Sequence, residues 1–544
     1  MRIAWKTISI LMLILMAGLA LAQDWADDPY TIKMANRAAK ESENATKIVV
    51  TDTSYRRPPS IAEKIMDNGF VRHELPAPRK LDPKDALYMP ALSPTKLDYK
   101  PVRTTPASAR PSHDDPPPIA PGTSEEFLAS DVLVSIPNSR PQRQPHCVTG
   151  DDGTIYAVWG EAISGGANAI MFSKSTDAGH TWSTAIVVDN VGTNYSPRVA
   201  VWGTGPSAIV HVVYNYVDWH VHDYYDTTGS YLYTDTTFEG DVYYCKSNSG
   251  GSTFGHYQAI ANQDINILFI SINYDEGGPD INVDDAGNVC ITYYGQSDEG
   301  HMVSMAIMIL LIILYEGLPP FWIDYTWYEV DMRTSINHGG SFQSRHRIMH
   351  EWFMDNSLTG SDIQGTGSSA TTHCIYTATG ILSLGSATAY YRRVNNPFFS
   401  PSNSMDNFVS SGYVVPAGLR VDSLGNTRAG ITQISGWGYD VLYSMTTTGG
   451  SSWPLPTPVA ASSAEEWEPK LQLDDAMNTF MVWSDERHID TDIYCVWSED
   501  GGHTLRSDQH RVNQTTYGDQ LWPGIGLFLS DTTRRLDVVW WDTW

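Results

Sequence analysis

Two stretches of the chain gather side chains that could do chemistry. The first, expected to be a connecting loop, runs Tyr214-Asn-Tyr-Val-Asp-Trp-His-Val-His-Asp-Tyr-Tyr-Asp226. Within it, Trp219, His220, His222, Asp223 and Tyr224 combine aromatic rings with carboxylate and imidazole groups. Such rings stack on the C–H faces of sugars while polar neighbours bond the hydroxyls. His220 and His222 could also share a metal ion with Asp223. A His-x-His pair without a third defined ligand is a weak metal signature, so a bound cation is left open and no organic cofactor is implied. The second stretch is Trp483-Ser-Asp485-Glu-Arg487-His-Ile-Asp490-Thr-Asp492, with Asp485 and Arg487 as its candidates. An acid and a base two residues apart either pair to lock a turn or face a ligand.

These residues need a scaffold, and the chain repeats the phrase that builds one. Ser175, Asp177, Gly179, Thr181 and Trp182 read S-x-D-x-G-x-T-W, and Ser498, Asp500, Gly502 and Thr504 repeat it with Leu505 in the Trp place. The stretches from Ser247 to Phe254, Ser335 to Phe342 and Thr446 to Trp453 keep the hydroxyl, glycine and aromatic spacing without the Asp. A side-chain oxygen two residues before a glycine can accept turn amides, and the glycine supplies a conformation that other residues avoid. Each phrase follows a strand-like apolar run, so each is expected to be a hairpin turn. A second phrase precedes each of them: a Pro, a short strand, an acidic turn and a strong strand, as at Pro145, Pro279, Pro416, Pro469 and Pro523.

The five turns resemble the Asp-box, or BNR, repeat of the sialidase-like β-propellers. The resemblance implies an all-β chain of about seven four-stranded blades, with six as the alternative. The interval from Phe342 to Trp453 is two blades long. The last phrase, from Trp522, supplies two strands of a seventh blade, and residues 131–136 fit its missing outer strand. The boxes and the turns after the Pro phrases should share one face, and in the family the active site lies on the other.

In sialidases that other face carries an arginine triad, a Tyr–Glu nucleophile pair and an Asp acid. Arg143-Gln144-Pro145 lies where the resemblance implies the first arginine, which makes Arg143 the catalytic candidate. The loop after the next strand holds Glu161 where the acid would be an Asp, and no second arginine of the triad is recognisable. A sialidase transition state needs both the cations and the acid.

The rest of the chain sets the context. Arg2 and Lys6, the apolar run 8–15 and Ala20-Leu21-Ala22 read as a signal peptide over residues 1–22. Residues 23–122 are polar and Pro-rich and read as a flexible spacer or propeptide, with one short helix expected over 35–47. They hold 15 Lys or Arg and 14 Asp or Glu, against 35 and 62 in the whole chain; with Arg2 and Lys6 also set aside, residues 123–544, the propeller, keep 18 basic and 48 acidic residues, a net charge of −30. Such a field repels nucleic acid and anionic membranes, and tolerates anionic ligands only in a local cationic pocket. The apolar run 302–314 is too short to span a bilayer; it is expected to pack on its own propeller, with membrane contact as the alternative. Five scattered cysteines without a C-x-x-C motif read as buried free thiols.

The expectation is a secreted or cell-surface bacterial protein that binds an extracellular glycan or protein without catalysis. The alternatives are an exo-sialidase or related glycoside hydrolase, and a structural surface scaffold.

Overall fold

The computed structural model describes residues 131–135, 140–163, 167–225, 231–262, 265–267, 270–272, 274–297, 327–352, 354–380, 387–411, 414–435, 438–462, 464–488, 490–515, 518–530 and 534–543. The stretches expected to be a signal peptide and a spacer with one short helix, and the apolar run 302–314, lie outside them. Over 218–225 and 231–239 only the backbone is described.

Blade 1 is β1 (Gln142–Thr149), β2 (Ile155–Ala162), β3 (Asn168–Ser175) and β4 (Ile186–Asp189). Blade 2 is β5 (Thr193–Trp202), β6 (Ile209–Tyr225), β7 (Tyr231–Ser247) and β8 (Gly255–Ala261). A short hairpin, β9 (Ile265–Ile267) and β10 (Ile270–Ile272), leads to blade 3: β11 (Tyr274–Val283), β12 (Val289–Ser297), β13 (Trp327–Ser335) and β14 (His346–Trp352). Blade 4 is β15 (Met354–Gln364), β16 (Thr371–Gly380) and β17 (Thr388–Asn395), with β18 (Ser402–Asn403) and β19 (Asn407–Ser411) both on its outer edge. Blade 5 is β20 (Val414–Val421), β21 (Thr427–Ser435), β22 (Gly438–Thr446) and β23 (Thr457–Ala460). Blade 6 is β24 (Glu466–Leu473), β25 (Thr479–Asp485), β26 (Asp492–Trp497) and β27 (His510–Arg511). A two-stranded sheet follows, β28 (Gln520–Leu529) and β29 (Arg534–Asp542).

All pairings are antiparallel between sequence neighbours, apart from the forked outer edge of blade 4. Each inner strand packs on that of the next blade, and β28 fits between β24 and β1, so seven inner strands close a ring. The chain is thus an all-β propeller of six full blades with a seventh place filled by two strands.

One expectation is corrected. Residues 131–135 form no strand; the Asp131 carboxylate instead accepts the main-chain N–H groups of Gln514 (3.0 Å) and Thr515 (2.8 Å). An Asp that takes amides directly competes with ladder formation. Val134 still packs beside Trp182 and Val539, so the segment seals blade 1 against the two-stranded sheet without pairing.

The repeated prolines mark a bulge in the inner strands. Gln144, Ser196, Gly278, Glu468 and Trp522, each just before a Pro, have φ near +50° and interrupt the register with the second strand. Pairing with the second strand resumes directly after the Pro, at His146, Arg198, Asp280, Lys470 and Gly524.

The boxes join the third and fourth strands. In the first, Asp177 accepts Thr181 N–H (2.9 Å) and Thr181 Oγ1–H (2.5 Å), while Ser175 Oγ accepts Gly179 N–H (2.9 Å). The second full box repeats this, with Asp500 accepting Thr504 N–H (3.0 Å) and its hydroxyl. Asn337 stands in for Asp by accepting Ser341 N–H (2.9 Å) and donating to Ser341 Oγ (3.0 Å). The box aromatic wedges against the third strand of the preceding blade: Phe254 on Phe172, Phe342 on Tyr244 and Trp453 on Tyr391, edge to face at 5.0, 4.9 and 5.3 Å.

The same approach fixes the glycine. A Cβ on Gly339 (φ +69°) would lie 1.8 Å from the Tyr244 hydroxyl, and one on Gly450 (φ +81°) 1.9 Å from the Tyr391 ring. The box is therefore a joint between blades as well as a turn within one. All five cysteines are free and buried.

A stability prediction follows from Asn337. Asp177→Ala should lower the melting temperature, whereas Asp177→Asn should keep most of it, because an amide already performs the task in blade 3. The Thr181 hydroxyl and amide, with Ser175, hold the Asp177 carboxyl down to about 2. Its contribution is complete above the ordinary carboxylate range and is lost as pH falls towards 2. Thermal melts of both variants at pH 7 check this; equal losses would show that the acceptor geometry is unimportant.

Candidate functional site

Boxes and the turns between first and second strands do share one face. Gly501 of the second full box donates to Asn478 Oδ1 in such a turn (3.0 Å), and Gly250 N–H bonds Ala208 O (2.9 Å). The opposite face carries the connections between second and third strands and those leading into each inner strand.

Blade 2 dominates that face. The stretch read from sequence as a loop after Tyr214 is strand as far as Tyr225. Its pairing with the inner strand ends at Val217 with Thr193, and the fourth strand ends against Val242. Beyond them β6 and β7 pair only with each other, through Asp218 with Glu239, Trp219 with Phe238, His222 with Asp235, Tyr224 with Tyr233 and Tyr225 with Tyr231. At about 3.3 Å per residue this two-stranded arm rises roughly 25 Å above the blade. Val, Thr and aromatic residues on both strands favour a pleated ladder over a loop. Trp219, His220, His222, Asp223 and Tyr224 all lie on the arm.

Arg143 lies in β1 at the edge of the same face. Its guanidinium sits 5.2 Å above the ring of Trp541, which stacks on Trp522 at 4.9 Å. Glu161, across the ladder from Gln142, accepts the Gln142 amide (3.1 Å) and pairs with Arg140 (3.5 Å).

Blade 6 presents a row of carboxyl groups on this face. Glu466 pairs in register with Asp485, and Asp485 with Asp492. Arg487 grips Asp485 through Nε (2.9 Å) and Nη2 (2.5 Å), Trp483 Nε1 donates to it (2.9 Å), and the guanidinium lies 3.9 Å from the Tyr494 ring centre. Asp485 and Arg487 therefore lock the turn to the blade. Asp492 accepts Asn513 Nδ2 (2.7 Å) and faces Arg511 at 3.8 Å. Glu466 is wholly buried, and its Oε1 accepts the Ser462 hydroxyl (2.5 Å) while Oε2 has no hydrogen-bond partner. Burial, then Asp485 and Asp440, push its carboxyl up to about 8 against the Ser462 bonds, so it holds its proton at neutral pH. The sequence stretch that held Asp485 and Arg487 also held Asp492, but Glu466 was missed, because its proximity to Asp485 comes from strand register.

A second buried cluster lies in blade 3. Arg345 bonds Glu329 (2.9 Å) and Asp331 (3.1 Å), and Arg347 bonds Glu329 (2.6 Å). Burial and Glu329 push the Asp331 carboxyl up, against the pull of the two arginines. Among the described residues no three His, Cys, Asp or Glu are grouped to hold a metal ion; the side chains of His220, His222 and Asp223 are outside that description.

No family model matches the chain, and no curated protein does. Solved structures similar to it include a protein of unknown function from Dyadobacter fermentans, at 10% identity over 76% of this chain and 97% of that one, with a TM-score of 0.41. A polysaccharide lyase of family PL25, an ulvan lyase, is 12% identical over 67% of this chain and 80% of its own, at 0.42. The NanB sialidase of Streptococcus pneumoniae is 11% identical over 77% and 68%, at 0.36. At this level of likeness nothing about activity carries over to this chain.

Proposed function

We propose that this is a secreted propeller that binds a neutral glycan outside the cell, without turning it over, on the face opposite the boxes. The observation that carries this reading is the arm of β6 and β7, a ladder dense in Trp, Tyr and Phe raised above that face. Aromatic platforms of this kind suit sugar rings. The net charge of −27 makes an uncharged ligand the better fit, and the leader-like first 22 residues support export.

Titration of the full chain against neutral and sialylated oligosaccharides tests it. Neutral sugars should bind, and Trp219→Ala should weaken them by about tenfold or more through the loss of one stacking platform. A fluorogenic sialoside should remain intact. Sialoside turnover that Arg143→Ala abolishes would replace this reading with the sialidase one. Capture of a protein ligand with no sugar binding would assign the arm to protein recognition.

A further inference from the structure

The ring of inner strands brings together cations from distant parts of an acidic chain. Arg198 in β5 and Lys470 in β24 occupy the position just after the bulge, as does His146 in β1; Arg420 lies in β20. All four are half-buried and border the axis. They interact across it: Lys470 feels both arginines, and His146 feels the arginines and Lys470.

Their hydrogen bonds to protein are few. Arg198 Nη1 donates to Pro197 O (3.0 Å), Lys470 Nζ to Ala417 O (3.1 Å), and Arg420 to Leu419 O (2.8 Å) and Gln472 Oε1 (3.2 Å). Among the described residues none of the three cations lies within 4.0 Å of a carboxylate oxygen. Among the described residues, Nε and Nη2 of Arg198, Nη2 of Arg420 and two Lys470 N–H bonds have no protein acceptor.

Carboxylates are present, but main-chain donors engage two of them. Asp280 accepts Ile281 N–H (3.0 Å) and both the N–H (2.8 Å) and hydroxyl (3.0 Å) of Ser361. Asp362 accepts Ile363 N–H (3.0 Å) and Val421 N–H (2.8 Å). Glu468, in the blade 6 bulge, attracts Arg198 and Lys470 from beyond ion-pair distance. Three cations with spare donors around one axis, facing acids whose oxygens are largely committed elsewhere, match the recognition pattern of an oxyanion.

We propose that the axis of the propeller binds a small oxyanion, held by Arg198, Arg420 and Lys470 from blades 2, 5 and 6. It gathers three cations of an otherwise acidic propeller opposite three acids, two of which are already bonded to main-chain N–H groups. The anion is either free in solution or the terminal group of a sugar, and the two sources are separable. The site is independent of the aromatic arm, so either can fail alone.

Burial, with Arg198 and Arg420 nearby, eases the Lys470 proton off, down to about 8, against the pull of Glu468 and Asp280. Of the other titratable neighbours, His146 is held neutral by burial and the same cations, and burial raises the Asp362 carboxyl against the pull of Arg420. A bound dianion reverses the balance at Lys470, so binding at pH 8 takes up protons.

Calorimetric titration of the full chain tests this, with inorganic sulfate as the free probe and glucose 6-sulfate as the sugar-borne one. Neither titrates near pH 8. Saturable binding of sulfate is expected, with an apparent heat at pH 8 that changes between buffers of different ionisation enthalpy. Lys470→Met should weaken it by about tenfold or more and abolish the buffer dependence, while Lys470→Arg should bind without proton uptake. Arg420→Gln, which keeps a donor towards Gln472, serves if Lys470→Met does not fold. Binding of glucose 6-sulfate alone would identify a sugar-borne anion. No saturable heat with either probe, or unchanged binding in folded Lys470→Met, overturns the proposal.

Discussion

Arg428→Met is expected to cost about 3–5 kcal/mol, the range for stripping one partner from a buried ion pair. The guanidinium is fully buried, as is its partner Asp422. Nη1 donates to Asp422 Oδ2 (2.8 Å) and Asn426 O (2.9 Å); Nη2 donates to Gly501 O (2.7 Å) and Met477 O (3.2 Å). One side chain thus ties the turn of blade 5 to the turn and box of blade 6. Methionine fills the volume but supplies no donor, leaving a buried carboxylate and three carbonyls short of a partner. Arg428→Lys should fall between, keeping the charge but losing the planar fork. Chemical denaturation of the wild type and both variants measures the losses. Adding Asp422→Asn should recover part of the methionine deficit, because the stranded charge is gone. A methionine variant as stable as the wild type would mean that this joint contributes nothing.

That joint also shows where the sequence stops being legible. The boxes could be read because their bonds close over two or four residues, so Ser175, Asp177 and Thr181 announce their own geometry. The propeller followed from repetition. The partners of Arg428 include Met477 and Gly501, in another blade, and nothing local points to them. The axial cluster had a fainter signal, since His146, Arg198, Asp280 and Lys470, though not Arg420, directly follow the repeated Pro. That signal gains meaning only once the bulge is known to lie on the innermost strand. Trp219 and its neighbours were picked out by composition, but their setting was misjudged. A connecting loop was expected where β-favouring residues on two facing segments build a ladder instead. The closing strand expected at 131–136 is absent over 131–135 for a reason far along the chain, the capture of the Gln514 and Thr515 amides by Asp131.

Glu466→Gln is expected to stabilise the protein at pH 8 by about 2–4 kcal/mol and to leave it unchanged near pH 4. The sign comes from the direction of the shift. The folded carboxyl is held up to about 8, whereas in the unfolded chain it ionises near its ordinary value of 4.5. Below 4.5 both states carry the proton and the group contributes nothing. As pH rises from 4.5 to 8 the unfolded state sheds the proton and the folded state cannot, so stability falls throughout that window and levels off above it. Glutamine fills the same space and lets its carbonyl keep the Ser462 hydroxyl bond. Its NH2 adds donors where Oε2 now lacks a partner, facing Asp485 and Asp440. Asp331 is shifted in the same direction by burial and Glu329, so the substitution should remove only part of the alkaline loss. Melting curves at half-unit intervals from pH 4 to 9 give the test. Parallel pH profiles for wild type and Glu466→Gln would show that Glu466 is ionised in the folded blade. The row Glu466, Asp485 and Asp492 would then be a charged surface held by Arg487 and Arg511, rather than a buried row that stays folded by keeping a proton.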